Sequence, residues 1–240
     1  MKITLFMVAK RGKSRQNIDM ESLLDLIMPE NCVICGAKGK SLCPNCKQKI
    51  IAESSNFCLE CGNFIEESCP DCRLPYQKSY TVGFRDEAVG KIAEKYKFSS
   101  KRSLARQITD ILMNILPDFS PDTVVVPIPT IKKHVRMRGL DHTKKVAKQL
   151  AKAKKCRFSP LVSRMNDSVQ VGANAKKRLE QAKTAFKIDE KELKKVFNEK
   201  SAVFLYDDIS TTGSTIKECA KLLKKSGIKN ISVIILAKNR

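Results

Sequence analysis

Tryptophan is absent from the 240 residues, and aromatic residues make up only 6%. Few rings are therefore available to stack on nucleobases. Any nucleic-acid binding would rest on phosphate contacts, without strong sequence preference. Long apolar runs are missing too: no uncharged stretch reaches the roughly 18 residues of a membrane-crossing helix, so membrane insertion is not expected. The apolar start at Met1 is soon interrupted and turns basic by Lys10, too short for a secretory signal. A cytoplasmic location is the expectation. Acidic residues are comparatively scarce, 25 against 46 Lys and Arg, leaving +21.

What is present bounds the rest. Hydrophobic residues are 42% of the chain, which excludes wholesale disorder. The length suits one large domain, or an ordinary domain with a small one. The charge is uneven. Residues 1–78 carry 11 basic and 9 acidic groups, whereas residues 79–240 carry 35 and 16, a balance of +19. Such a field attracts polyanions. Lysine outnumbers arginine 34 to 12, but a general lysine bias would not favour one part of the chain.

Of ten cysteines, eight form four Cys-x-x-Cys knuckles: Cys32/Cys35, Cys43/Cys46, Cys58/Cys61 and Cys69/Cys72. The gaps between knuckles are seven, eleven and seven residues, so one unit is written twice. Paired thiols in a cytosolic chain point to metal rather than disulfides. Two knuckles supply four thiolates, a closed set suited to structural zinc. The repeat predicts sequential pairing of knuckles, with cross-bracing of the first and third as the alternative. Gly36 and Gly62 follow the first knuckle of each unit, where a tight turn wants positive φ. Metal would supply most of the folding free energy of this segment.

The second informative stretch is Val203-Phe204-Leu205-Tyr206-Asp207-Asp208-Ile209-Ser210-Thr211-Thr212-Gly213-Ser214-Thr215. Four apolar residues predict a buried parallel strand ended by two carboxylates. A hydroxyl-rich turn and a helix from Ile216 follow. Backbone N–H groups of Thr211 to Thr215 suit a phosphate at a helix start. Asp207 and Asp208 repel phosphate but suit ribose hydroxyls, and they stabilise positive charge on a sugar ring. A phosphate, a diol and a developing cation together describe 5-phosphoribosyl 1-diphosphate.

This segment resembles the thirteen-residue binding motif of type I phosphoribosyltransferases. A further expected strand, 123–128, ends in Pro127-Ile128-Pro129 and leads to the basic run Lys132 to Arg138. In that family the first parallel strand ends in a loop that receives pyrophosphate. The resemblance assigns this role to Ile128, Pro129, Lys132, Arg136 and Arg138. Residues 164–186, with Gln170, Gly172 and Arg178, resemble the mobile loop that such enzymes close over the site. The expected helix at 143–155 sets Lys144, Lys148 and Lys152 along its outer face.

Taken together, cysteine knuckles, an Arg-x-Arg-Gly segment and the thirteen-residue motif near the C-terminus resemble the ComF family of competence proteins. The likeness spans about Ser22 to Lys238. It implies a type I phosphoribosyltransferase-like parallel α/β sheet flanked by helices, with a small N-terminal double zinc-ribbon module. The expected organisation is a tail at 1–20, the zinc ribbons at 21–76 and the α/β domain at 77–240. The implied ligands are two structural zinc ions and 5-phosphoribosyl 1-diphosphate with Mg²⁺. Asp207 and Asp208 are the implied catalytic pair, and Ser210, Thr211, Thr212, Gly213, Ser214 and Thr215 join them in binding the sugar diphosphate. The implied role is natural transformation, with single-stranded DNA and competence or recombination proteins as partners. Turnover with an acceptor and a non-catalytic DNA-binding accessory are both compatible with these features. One departure stands out: the family usually reads Arg-Gly-Phe-Asn-Gln where this chain has Arg138-Gly139-Leu140-Asp141-His142.

Overall fold

The computed structural model describes residues 30–66, 68–98, 103–165, 185–198 and 201–240. The expected tail at 1–20, residues 21–29 of the expected zinc-ribbon segment and most of the mobile-loop segment, including Gln170, Gly172 and Arg178, lie outside these residues.

Five parallel strands form the central sheet. They are β1 (Lys78–Phe84), β2 (Val124–Pro127), β3 (Arg157–Phe158), β6 (Ala202–Ser210) and β7 (Asn230–Lys238), in the order β1-β7-β6-β2-β3. The inner strands are apolar on both faces, as burial on both sides requires. Along β6, Phe204 and Tyr206 face one hydrophobic cluster while Val203 and Leu205 face the other. The first cluster is covered by α2 (Ala88–Phe98), α3 (Ser103–Ile115) and α5 (His142–Ala153). The second lies under α7 (Ser214–Lys225), through Ile216, Cys219, Ala220 and Leu223. A separate antiparallel pair joins β4 (Val162–Arg164) to β5 (Phe186–Ile188), and α6 (Glu190–Val196) follows it.

Two expectations need correcting. The strand bearing the acidic pair does not stop at Tyr206. It runs on to Ser210 because long β7 continues the ladder, pairing Asp207 with Ile235. Lys78–Phe84 pairs in parallel with β7. The basic run after Pro129 is not wholly loop: Lys132–Arg138 forms the short helix α4, ended by Gly139 at φ 66°. The helix expected at 143–155 begins at His142, where the Asp141 carboxylate accepts from Lys144 N–H at 3.0 Å.

The cysteine units are structural duplicates. In the first, Cys32 N–H donates to Ala37 O and Gly36 N–H to Cys32 O. In the second, Cys58 N–H donates to Asn63 O and Gly62 N–H to Cys58 O. Both glycines take the left-handed φ that the spacing predicts, 77° and 78°. Helix α1 (Pro44–Glu53) starts on the second knuckle, with Pro44 at its opening position.

Each unit packs into the core of the sheet. Cys32, Leu42 and Ile50 join the cluster beneath α3, and Lys47 pairs with Asp110 at 3.1 Å. Leu59 and Tyr76 join the cluster beneath α7, and Glu60 pairs with Lys217. Phe57 stacks on Phe84 of β1 at 4.5 Å, and its carbonyl accepts from Ser79 Oγ. Burying a leucine such as Leu59 contributes about 2–3 kcal/mol.

Candidate functional site

Two metal-binding sets are assembled sequentially. Cys32, Cys35, Cys43 and Cys46 bring their sulfurs within 4.8 Å of one another, and Cys58, Cys61, Cys69 and Cys72 do the same. Sulfurs at about 2.3 Å from a tetrahedral zinc lie roughly 3.8 Å apart. Cys35 and Cys43 stand 3.7 Å apart, as do Cys61 and Cys69. The residues fit zinc, and the sequential pairing replaces the cross-braced alternative. Burial pushes the Cys32 thiol up, but backbone N–H groups at Cys35, Cys43 and Ile34 more than reverse this, to about 6. Four thiolates and no open position make each centre structural.

The acidic pair lies at the C-terminal end of β6, where ligands of open α/β sheets bind. Alternation sends the two side chains to opposite faces of the strand. Asp208, 3% exposed, turns toward α5 and accepts from Thr143 Oγ1 at 3.1 Å. Its Oδ2 has no hydrogen-bond donor among the described residues, and Lys97 Nζ stands 3.8 Å away. Asp207 reaches the cleft with part of its surface yet is ringed by protein atoms. Lost hydration, with the Asp208 carboxylate beside it, pushes its carboxyl well above the usual range.

A cleft of about 150 Å³ opens over this pair. Lys97, Arg138 and Arg164 bring positive charge to it, and Ile128, Pro129, Thr130 and Thr215 form part of its wall. Of the residues singled out in the sequence, Asp207, Asp208, Thr215, Ile128, Pro129 and Arg138 meet here. Lys132 and Arg136 are exposed and lie outside the cleft lining. The turn from Thr211 to Ser214 sits on the same strand-to-helix connection. Gly213 takes φ 68°, which favours glycine, and gives α7 no side-chain cap. Thr212 Oγ1 accepts from Ser214 N–H at 3.4 Å and donates to Ser214 Oγ at 3.0 Å. Ser210 Oγ is buried with no partner among the described residues.

The zinc module reaches this turn. A Cβ placed on Gly213 would lie 3.6 Å from both Cβ and O of Leu59, inside the third knuckle.

Lys97 and Thr143 are functional candidates that carry no motif, and Arg164 opens the segment 164–186 that resembles the mobile loop. His142 also faces the cleft, 5% exposed, with Nδ1 lacking a hydrogen-bond partner among the described residues. Burial holds its imidazole below the usual range, despite the nearby Asp208 carboxylate. Its position at the end of the altered Arg-Gly segment was the available signal.

These features define a class: a double zinc ribbon packed into a parallel α/β sheet, with an acidic strand end facing a basic cleft. The double zinc ribbon domain family matches residues 23–73. Competence protein F of Haemophilus influenzae is 25% identical over 211 residues, covering 82% of this chain and 90% of that protein. Competence protein ComFC of Streptococcus pneumoniae is 23% identical, covering 86% and 99%. DNA utilization protein YhgH of Escherichia coli K12 is 23% identical, covering 86% and 89%. Over most of its length the chain is similar to competence and DNA utilization proteins, and its N-terminal segment to double zinc ribbons.

Proposed function

We propose that this protein serves natural transformation by handling single-stranded DNA, and that its cleft binds 5-phosphoribosyl 1-diphosphate with Mg²⁺. The observation that carries the ligand reading is the meeting of Asp207, Asp208 and Thr215 with Lys97, Arg138 and Arg164 in one cleft. In this reading the carboxylates hold ribose hydroxyls, and Thr211 to Thr215 hold the 5′-phosphate. Arg138 takes the diphosphate, beside Ile128 and Pro129. Mg²⁺ bound to the diphosphate would neutralise part of its charge beside Arg138. Calorimetric titration should show saturable binding of the sugar diphosphate with Mg²⁺. Heat indistinguishable from dilution, in protein carrying two zinc ions, would refute this part.

Thr143 on Asp208 Oδ1 and Lys97 beside its buried Oδ2 engage this carboxylate within the protein, which favours a second reading, a ligand-binding accessory without turnover. Pyrophosphate release, measured with and without single-stranded DNA, separates the two.

The DNA reading draws on the names of the relatives and on the +19 balance of residues 79–240. Lys144, Lys148 and Lys152 are exposed along α5 and provide a track for phosphates. Log affinity for single-stranded DNA should fall with log salt by roughly 0.7 per contact. Changing all three lysines to Gln should weaken binding evenly across sequences and reduce the slope by about 2. An unchanged slope would remove α5 from the interface.

A further inference from the structure

The two cysteine units are built alike but grip different parts of the sheet. The first holds α3: Lys47 pairs with Asp110, and Ser103 Oγ donates to Glu30 at 2.8 Å, beside the first knuckle. The second holds the connection between β6 and α7 at three points. Leu59, 2% exposed, presents both its Cβ and its carbonyl oxygen to Gly213. Glu60 pairs with Lys217, whose N–H donates to Gly213 O at 2.9 Å to close the first turn of α7. Lys238, at the end of β7, brings its Nζ to 3.6 Å from a Cβ placed on Gly62. Its backbone lies opposite Ser210 in the sheet, and Asn239 N–H donates to Ser210 O at 2.9 Å.

A turn that offers backbone N–H groups to a phosphate works only while those groups converge. Gly213 has no side chain to fix its backbone, and α7 has no side-chain cap. Glycine loses more conformational freedom on ordering than any other residue, so order has to be imposed on this turn from outside. Leu59 supplies packing and Glu60 an ion pair. Lys238 supplies charge. It is 5% exposed, and its Nζ donates to Asn239 O with no carboxylate paired to it among the described residues. A buried ammonium calls for compensating negative charge. Four thiolates on a divalent ion carry a net charge of about −2, and Gly62 adjoins Cys61 of the second set. The hydroxyl of Ser210, buried and without a partner among the described residues, lies 3.9 Å from a Cβ placed on Gly213.

We propose that the second cysteine unit is a positioning device for the turn from Ser210 to Ser214. Leu59, Glu60 and Lys238 are its positioning residues. Metal at the second set is thereby coupled to ligand at the turn, whereas metal at the first set is not. The proposal rests on the phosphate reading of this turn and deepens it by naming what keeps the phosphate donors aligned. Preorganisation of this kind raises affinity without adding a contact to the ligand.

The test uses full-length, zinc-loaded protein. Hydrogen exchange without ligand reads the turn directly. Leu59→Ala should speed exchange of the amides at 211–215 at least ten-fold, and Leu59→Met should bring it back to within two-fold of wild type. Leu42→Ala, at the matching buried leucine of the first unit, should lower the melting temperature by a similar amount yet leave those amides within two-fold. Glu60→Gln, at a half-exposed side chain, should speed them at least three-fold and serves if Leu59→Ala fails to fold. Calorimetry with the sugar diphosphate and Mg²⁺ should follow the same order, at least five-fold weaker for Leu59→Ala and within two-fold for Leu42→Ala. Coupling between two sites is reciprocal. In equilibrium competition with a zinc-chelating dye, the sugar diphosphate should therefore tighten one of the two zinc ions at least five-fold. Cys69→Ser should abolish that gain, and Cys43→Ser should keep it. Equal exchange at 211–215 in Leu59→Ala and Leu42→Ala, exchange indifferent to Glu60→Gln, or, with ligand bound, a gain shared by both ions or by neither would each overturn the proposal. Failure of the sugar diphosphate to bind wild type would instead overturn the reading of the cleft, and the exchange measurements, which need no ligand, would still decide the role of the second unit.

Discussion

Stripping zinc with a chelator under reducing conditions should lower the melting temperature by more than about 10 °C. Each structural site in an isolated peptide is worth on the order of 10 kcal/mol, and a loss of even 3–5 kcal/mol moves a domain of this size by about that much. The effect should not stop at the knuckles. Cys32, Leu42 and Ile50 belong to the cluster under α3, and Leu59 to the cluster under α7, so loss of metal loosens both faces of the sheet. Metal analysis should find about two zinc ions per chain, and Cys32→Ser should remove one while sparing the second set, because the sets share no ligand. Zinc-free protein that melts like wild type would show that other bonds hold the module.

Replacing Asp207 and Asp208 together by Asn should weaken the sugar diphosphate by about 1–3 kcal/mol, roughly 5- to 150-fold. The same change should raise thermal stability at neutral pH, and the sign follows from linkage. The Asp207 carboxyl is held well above its usual range in the folded protein. Above the ordinary carboxyl pKa near 4, the unfolded chain therefore binds fewer protons at this position than the folded one. Stability from this group is present at low pH and declines as pH rises toward its folded value. Asn carries no such charge and escapes the decline. Weaker ligand binding with a higher melting temperature is the signature of a site that trades stability for function. Unchanged binding would remove the carboxylates from the site, and a lower melting temperature would show that Asp208 with Lys97 and Thr143 outweighs the strain at Asp207.

The thirteen-residue motif was legible because its chemistry is contiguous: strand, carboxylates, turn and helix follow one another from Val203 to Thr215. The knuckles were legible because their spacing repeats. The rest of the cleft was not. Lys97 comes from α2, Thr143 from α5 and Arg164 from β4, and only the sheet order brings them to one strand end. Neither Lys97 nor Thr143 sits in a pattern that distinguishes it from a surface lysine or a helix threonine, and Arg164 stands at the edge of the segment 164–186 without a motif position of its own. The extension of β6 to Ser210 was hidden for a similar reason, since a carboxylate pair reads as a strand end until β7 is seen beside it. Helix α4 was masked by its charge, seven residues with none buried, which leaves no apolar stripe for periodicity to reveal.

The seating of Leu59 against Gly213 has a practical meaning for anyone dissecting this molecule. A boundary drawn between cysteine ribbon and sheet looks natural along the chain, yet the two halves share side chains as neighbouring stones share mortar. A fragment lacking the ribbon would take Leu59 out of the cluster that holds Ile216 and Leu223 and lose the Glu60–Lys217 pair. Its failure to bind a phosphate would report a damaged turn rather than a missing contact. Roles in this protein are therefore better separated by single substitutions on intact, metal-loaded chains than by scissors.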